Sequence, residues 1–113
     1  MALSIIHGQQ DGATRLALLG RLTIGDATED FHKAIRDAIE SGATRFILDF
    51  ANLDYVDSAG LSALVGAHVA ACRVGGSIQL ANVPPRIQNL LSVSRLFQVF
   101  QLVTRSKDEK AGT

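Results

Sequence analysis

The apolar positions of this chain change their period several times, and each change marks an element. Residues 3–7 and 14–19 are short strand-forming runs separated by "GQQDGA", whose Asp-Gly pair is a strong turn signal. The pattern predicts an antiparallel hairpin. From Asp26 the period lengthens: Phe31, Ile35, Ala38 and Ile39 recur at helical spacing, and Gly42 supplies a stop. Asp26 with Glu29 three places on has the arrangement of a capping box, so Asp26 is expected to open this helix. The run "RFILDF" at 45–50 is almost continuously apolar, as in a strand covered on both faces, and should be central.

After the spacer "ANLDYVD" the stretch "SAGLSALVGAHVAACRV" returns to helical spacing. Leu61, Leu64, Val65 and Cys72 make one stripe, whereas Ala63, Gly66, Ala67, Ala70 and Ala71 leave the other side small enough for close approach to the sheet or to a partner. Gly75 and Gly76 end that helix, "SIQLANV" makes a short strand, and Pro84 and Pro85 open a third helix carrying Ile87, Leu90 and Leu91. "VSRLFQVFQLV" reads as a brief turn or helix before a last strand, and "TRSKDEKAGT" as a loose polar tail.

The order is therefore ββαβαβα with a possible terminal strand. It implies right-handed crossovers and a mixed α/β sheet of four to five strands covered by three to four helices. One domain spans 1–104, followed by a tail at 105–113. With 47% apolar residues in 113, it should fold alone.

Charge narrows the function classes. Eleven basic and eleven acidic side chains cancel, with no long block of either sign, which argues against nucleic acid as a partner. "MALSIIHGQQ" has neither the basic start nor the apolar length of an export signal and reads as a first strand. The most apolar stretch, "AGLSALVGAHVAAC", is shorter than the roughly 20 residues that span a bilayer and contains His68. The single cysteine, Cys72, cannot pair internally and is expected to be buried, so a cytoplasmic location is expected. With no heptad or large apolar edge pattern, a monomer is expected.

Candidate catalytic chemistry is sparse. His7, His32 and His68 fall on three different elements without metal-ligand spacing, so no metal site is expected. "VGGSIQ" lacks the lysine of a phosphate-binding loop and reads as a helix stop. A hydrolase built on Ser58 needs a nearby base, but His68 lies ten residues along the same helix, roughly 15 Å away. "DSAGL" is not a Gly-flanked nucleophile elbow either. No cofactor and no enzymatic activity are expected. Locally, Ser58 reads first as an N-cap and Asp57 as a capping or turn residue. A helix start is nevertheless a place where added phosphate is tolerated, and there it would add roughly −1.5 to −2 charge beside Asp57.

Over "ALLGRLTIGDA" to "LFQVF" the chain resembles the STAS domain family, in particular the stand-alone anti-sigma factor antagonists. The motif that carries the likeness is an apolar strand, a short spacer and an Asp-Ser-x-Gly-Leu helix start, here Asp57, Ser58, Ala59, Gly60 and Leu61. The resemblance implies that Ser58 is phosphorylated by an ATP-binding serine kinase that doubles as an anti-sigma factor, and dephosphorylated by a metal-dependent phosphatase. It implies that the unphosphorylated form binds the kinase and frees its client. In that reading Asp57 shapes the acceptor site and Gly60 leaves space for approach. The docking face is the exposed part of the helix with the turn after strand two. Two positions depart from the pattern. Thr23 stands where many relatives have Asp, so an acidic partner contact is either lost or passed to Asp26. Ala59 replaces a frequent serine, which leaves Ser58 as the clear acceptor. The alternative is a non-switching STAS scaffold in a stress-sensing or transport-associated complex.

Overall fold

A computed structural model describes residues 3–93 and 101–103. The elements run β1 (Leu3–Gln10), β2 (Ala13–Leu22), α1 (Asp26–Glu40), β3 (Arg45–Val56), α2 (Ser58–Arg73), β4 (Ser77–Ala81), α3 (Pro85–Val93) and β5 (Gln101–Val103). The expected turn or helix over 94–100 and the tail from 104 onward lie outside the described residues. β1 to β5 form a five-stranded sheet in chain order. β1 pairs antiparallel with β2, and every later neighbour pairs parallel. The α/β fold expected from the element order is the one observed, with β3 at the centre.

The hairpin closes through Asp11 (φ 53°) and Gly12 (φ 81°), with Gln10 opposite Ala13. Positive φ at both turn residues is the two-residue type I′ geometry, whose twist matches that of the strands it joins.

β3 is longer than its apolar run suggested. Past Asp49 it pairs only with β2, and two register shifts give β3 an extra residue each, between Ala17 and Leu19 and between Gly20 and Arg21. Such bulges re-aim side chains, so Phe50, Leu53 and Val56, three apart rather than two, are all buried. The core lies on one face of the sheet. Leu16 and Leu18, Phe46, Leu48 and Phe50, and Ile78 and Leu80 meet Phe31, Ile35, Leu64, Ala67, Ile87 and Leu91 from the three helices. β3 is apolar on both sides, as the run implied, but unequally: on the opposite face only Ile47 joins Ala13 and Ala81 in a small separate cluster. Beside that cluster Arg15 and Asp49 form a half-buried ion pair (2.6 Å), and Asn82 and the Ala51 N–H also donate to Asp49. Burial pushes the Asp49 carboxyl up, but these donors and the guanidinium outweigh it and hold it below its ordinary range.

Two glycine-terminated helix ends fix the loops. At the end of α1, Gly42 (φ 104°) donates to Ile39 and Ala43 donates to Ala38. At the end of α2, Gly75 (φ 75°) donates to Cys72 and Gly76 to Ala71. Both are Schellman caps. A Cβ on Gly76 would sit 1.6 Å from the Thr44 carbonyl oxygen, so this turn requires glycine for closeness as well as for φ at its neighbour.

The small side of α2 faces inward. Gly60, Ala63, Leu64, Ala67 and Ala71 are its buried residues, while Leu61 and Val65 are half-buried and Cys72 is exposed. The expected buried thiol is thus corrected: Ala63, Ala67 and Ala71 with Leu64 make the inward face, and Cys72, four residues beyond His68, is exposed. Its Sγ lies 3.6 Å from His68 Nε2.

Candidate functional site: the start of the second helix

The site stands where β2 and β3 end side by side and α2 begins. Asp57, extended at φ −96° and ψ −175°, is the N-cap of α2; its Oδ1 accepts the Gly60 N–H at 2.8 Å. Ser58 is therefore the first helical residue rather than the cap, and the expected capping role passes from the serine to the aspartate. One reason is that Asp57 is also held from behind, its own N–H donating to the Leu22 carbonyl of β2 (3.3 Å).

The second carboxylate oxygen reaches another loop. Oδ2 accepts the Ile24 N–H at 3.0 Å, so one side chain fastens the β2–α1 connection to the start of α2. Asp57 is held ionised below the ordinary carboxylate range, first by the Ile24 N–H and then by the Gly60 N–H. A carboxylate so occupied is a poor proton acceptor, which argues against Asp57 as a general base for Ser58.

Gly60 is buried because nothing larger fits. A Cβ there would lie 2.2 Å from the Leu22 carbonyl oxygen and 2.8 Å from Val56 Cγ1. The close approach that Gly60 permits here is that of its own helix to β2. Leu61 is half-buried against the core, and Ala59 is half-buried. Ser58 is exposed, and among the described residues its hydroxyl has no hydrogen-bond partner.

Thr23 is half-buried and Asp26 exposed. The predicted capping box between Asp26 and Glu29 does not form: Gly25, at φ 110°, caps α1 without a side-chain bond, and its carbonyl accepts the Glu29 N–H and the Thr28 hydroxyl. Gly25 takes a positive-φ conformation that glycine adopts readily, so the cap falls on it and the helix begins one residue earlier than the capping box implied, with Asp26 as its first residue. The structure thus brings Thr23 and Asp26 to the loop that Asp57 holds.

Residues that the sequence reading passed over complete the surface. Ile24 is 77% exposed, the most exposed of the large apolar residues in the described chain. Tyr55 is 44% exposed, with the Arg21 guanidinium 5.0 Å over its ring. Arg21 and Tyr55 are direct partners across β2 and β3. Their signal was hidden because the register shifts decide which residues of "ANLDYV" face out. Among the described residues no group of three or more His, Cys, Asp or Glu side chains could hold a metal. No helix among them is long and apolar enough to cross a membrane.

The α/β sheet with this strand order is the fold of a STAS domain. The family model described as "Mlab, STAS domain" matches residues 6–104, and the chain belongs to the STAS domain family. It is 30% identical to a STAS-domain containing protein of Pseudomonas aeruginosa over 105 residues, which is 90% of this chain and 99% of that one. It is also 30% identical, over 56 residues covering 50% of this chain and 48% of the relative, to the anti-sigma F factor antagonist of Paenibacillus polymyxa. Among solved structures, the anti-sigma factor antagonist SpoIIAA in its unphosphorylated form shares the fold with a TM-score of 0.71 at 22% identity, covering 96% of each chain. The phosphorylated form of SpoIIAA, a Bacillus cell fate determinant, matches with a TM-score of 0.72 at 22% identity, over 96% of this chain and 97% of that one.

Proposed function

We propose that this protein is an anti-sigma factor antagonist whose binding is switched off by phosphorylation of Ser58. One observation carries the reading. Asp57 caps the helix, so Ser58 has an exposed hydroxyl with no structural duty at the amide-rich end of α2. The family membership and the anti-sigma F factor antagonist among its relatives support the same role.

The partner is an ATP-binding serine kinase that is itself the anti-sigma factor. In its active site the Ser58 oxygen attacks the γ-phosphorus of ATP, the bond to the ADP oxygen breaks, and the serine proton passes to a base of the kinase. The chain supplies the acceptor and its presentation, not a catalytic group. Phosphate adds roughly −1.5 to −2 charge beside a carboxylate already held ionised, and the positive end of α2 accommodates it without unfolding. What changes is the face offered to the kinase: Ser58 with the loop that carries Thr23, Ile24 and Asp26. Exposed Ile24 supplies apolar contact area that charge repulsion next to it would separate from its pocket. A metal-dependent serine phosphatase restores the binding form, and the client released by the bound kinase is a sigma factor. The cytoplasm is the proposed location.

Affinity capture from host lysate with wild type, Ser58→Ala and Ser58→Asp tests this. An ATP-binding kinase retained by wild type and alanine but not by aspartate is the expected result. Equal retention of one partner set by all three would instead assign the chain to a constitutive scaffold.

A further inference from the structure

Among the described residues, β1 is an edge strand with no protection. It is an end strand of the sheet, it runs for 8 residues, and all of them pair in unbroken register with β2. Strand edges that must stay single usually carry a lysine, a proline, a bulge or an inward charge. "LSIIHGQQ" has none of these, and Ile6 within it is 59% exposed.

The hairpin turn determines which backbone groups face outward. In a two-residue type I′ hairpin the residues flanking the turn, here Gln10 and Ala13, form a hydrogen-bonded pair. Alternation then directs the N–H and C=O groups of Gln10, Gly8, Ile6 and Ser4 toward β2. Those of Gln9, His7, Ile5 and Leu3 point away from it, and the described chain offers them no strand to pair with.

From this geometry we infer that β1 pairs antiparallel with β1 of a second copy, joining two sheets into one of ten strands about a two-fold axis. The occupant follows from self-complementarity. The outward groups lie at odd positions, so the register that uses all of them sets Leu3 opposite Gln9 and Ile5 opposite His7, and their mirror pairs across the axis. Ile6 then faces Ile6 of the other copy in a non-hydrogen-bonded pair, the arrangement in which side chains stand closest. The most exposed apolar residue of the strand is buried at the axis, and no like charges are set opposite each other. The groove of about 330 Å³ between β1 and α1, lined by Leu3, Ile5, Lys33 and Asp37 among others, lies along the same edge and carries both signs of charge. A closed, isologous pair of this kind is the commonest symmetric assembly. Because the pairing is antiparallel, the two Ser58 sites stand at opposite ends of the joined sheet, and the inference does not depend on Ser58 being phosphorylated.

The test is sedimentation velocity of the full chain from about 1 to 300 μM, alongside His7→Pro and Ile6→Lys. His7→Pro deletes an outward N–H and leaves the bonds to β2 intact, and proline is tolerated on an edge with its nitrogen toward solvent. A concentration-dependent dimer, weakened at least tenfold by each substitution while circular dichroism is unchanged, is expected. The register is tested by oxidation of Ile6→Cys in a Cys72→Ser background, since opposed residues of a non-hydrogen-bonded pair lie at a separation a disulfide can span. Ile6→Cys is expected to cross-link and His7→Cys in the same background is not. A monomer throughout the range, or a dimer indifferent to His7→Pro, overturns the pairing; cross-linking of His7→Cys in preference to Ile6→Cys overturns the register.

Discussion

Asp57 holds two places in the chain with one carboxylate, and its substitution should separate their role from that of the proposed acceptor Ser58 beside it. Asp57→Ala removes the bonds to Gly60 and Ile24, and a loss of about 1–2 kcal/mol is expected in denaturant unfolding, at the upper end for an N-cap. Ser58→Ala and Ser58→Asp should each stay within about 1 kcal/mol of wild type, because neither touches the cap. The acidity has a sign. Asp57 is held below its unfolded value of 3.8, so its contribution is complete above that value, declines as pH falls through it, and is gone below the folded pKa. In a melting series over pH 7 to 2, Asp57→Asn should remove the part of the acid destabilisation that begins near pH 4–5. An unchanged profile would show that the carboxylate bonds contribute nothing. The motif Asp-Ser-x-Gly-Leu was legible in the sequence, but the division of labour within it was not. Aspartate and serine are both good caps, and only the backbone placing Asp57 against Leu22 decides between them.

Among the elements, α2 offers opposite outcomes from one substitution. Gly60→Ala drives a methyl group into the Leu22 carbonyl and should destabilise by about 1–3 kcal/mol or more. At Gly66 the new methyl group meets only His32 Cε1, at an ordinary 3.6 Å, and Gly66→Ala should stabilise by about 0.5–1 kcal/mol through helix propensity. Chemical denaturation of the two variants reads both signs; the same sign for both would mean that α2 does not lie against β2 as described. The existence and order of the elements were legible because each has a distinct period: helical over 26–40 and 58–73, continuous apolar over 45–50. The second half of β3 was not, since its bulges convert period two into the three-residue spacing of Phe50, Leu53 and Val56. The orientation of α2 misled for a related reason. A helix with alanines on one side and larger residues on the other does not say which of them face the sheet: Leu64 is buried with the alanines, and Cys72 is exposed.

At the scale of the whole molecule, a main core on one face of the sheet leaves, among the described residues, the start of α2 free at one end and β1 free along one edge. Ser58 is exposed at that helix start, outside the buried cluster. The fold class was readable from the alternation of strands and helices alone. The exposed group of Ile24, Arg21 and Tyr55 was not, because it is assembled from two strands and a loop that only the tertiary register brings together. The most direct measurement is a binding titration of the captured kinase against this protein with serine, and with phosphoserine incorporated during synthesis, at position 58. A loss of at least a hundredfold in affinity on phosphorylation, with the melting temperature nearly unchanged, is the predicted result. Equal affinity of the two forms would contradict a switch at Ser58.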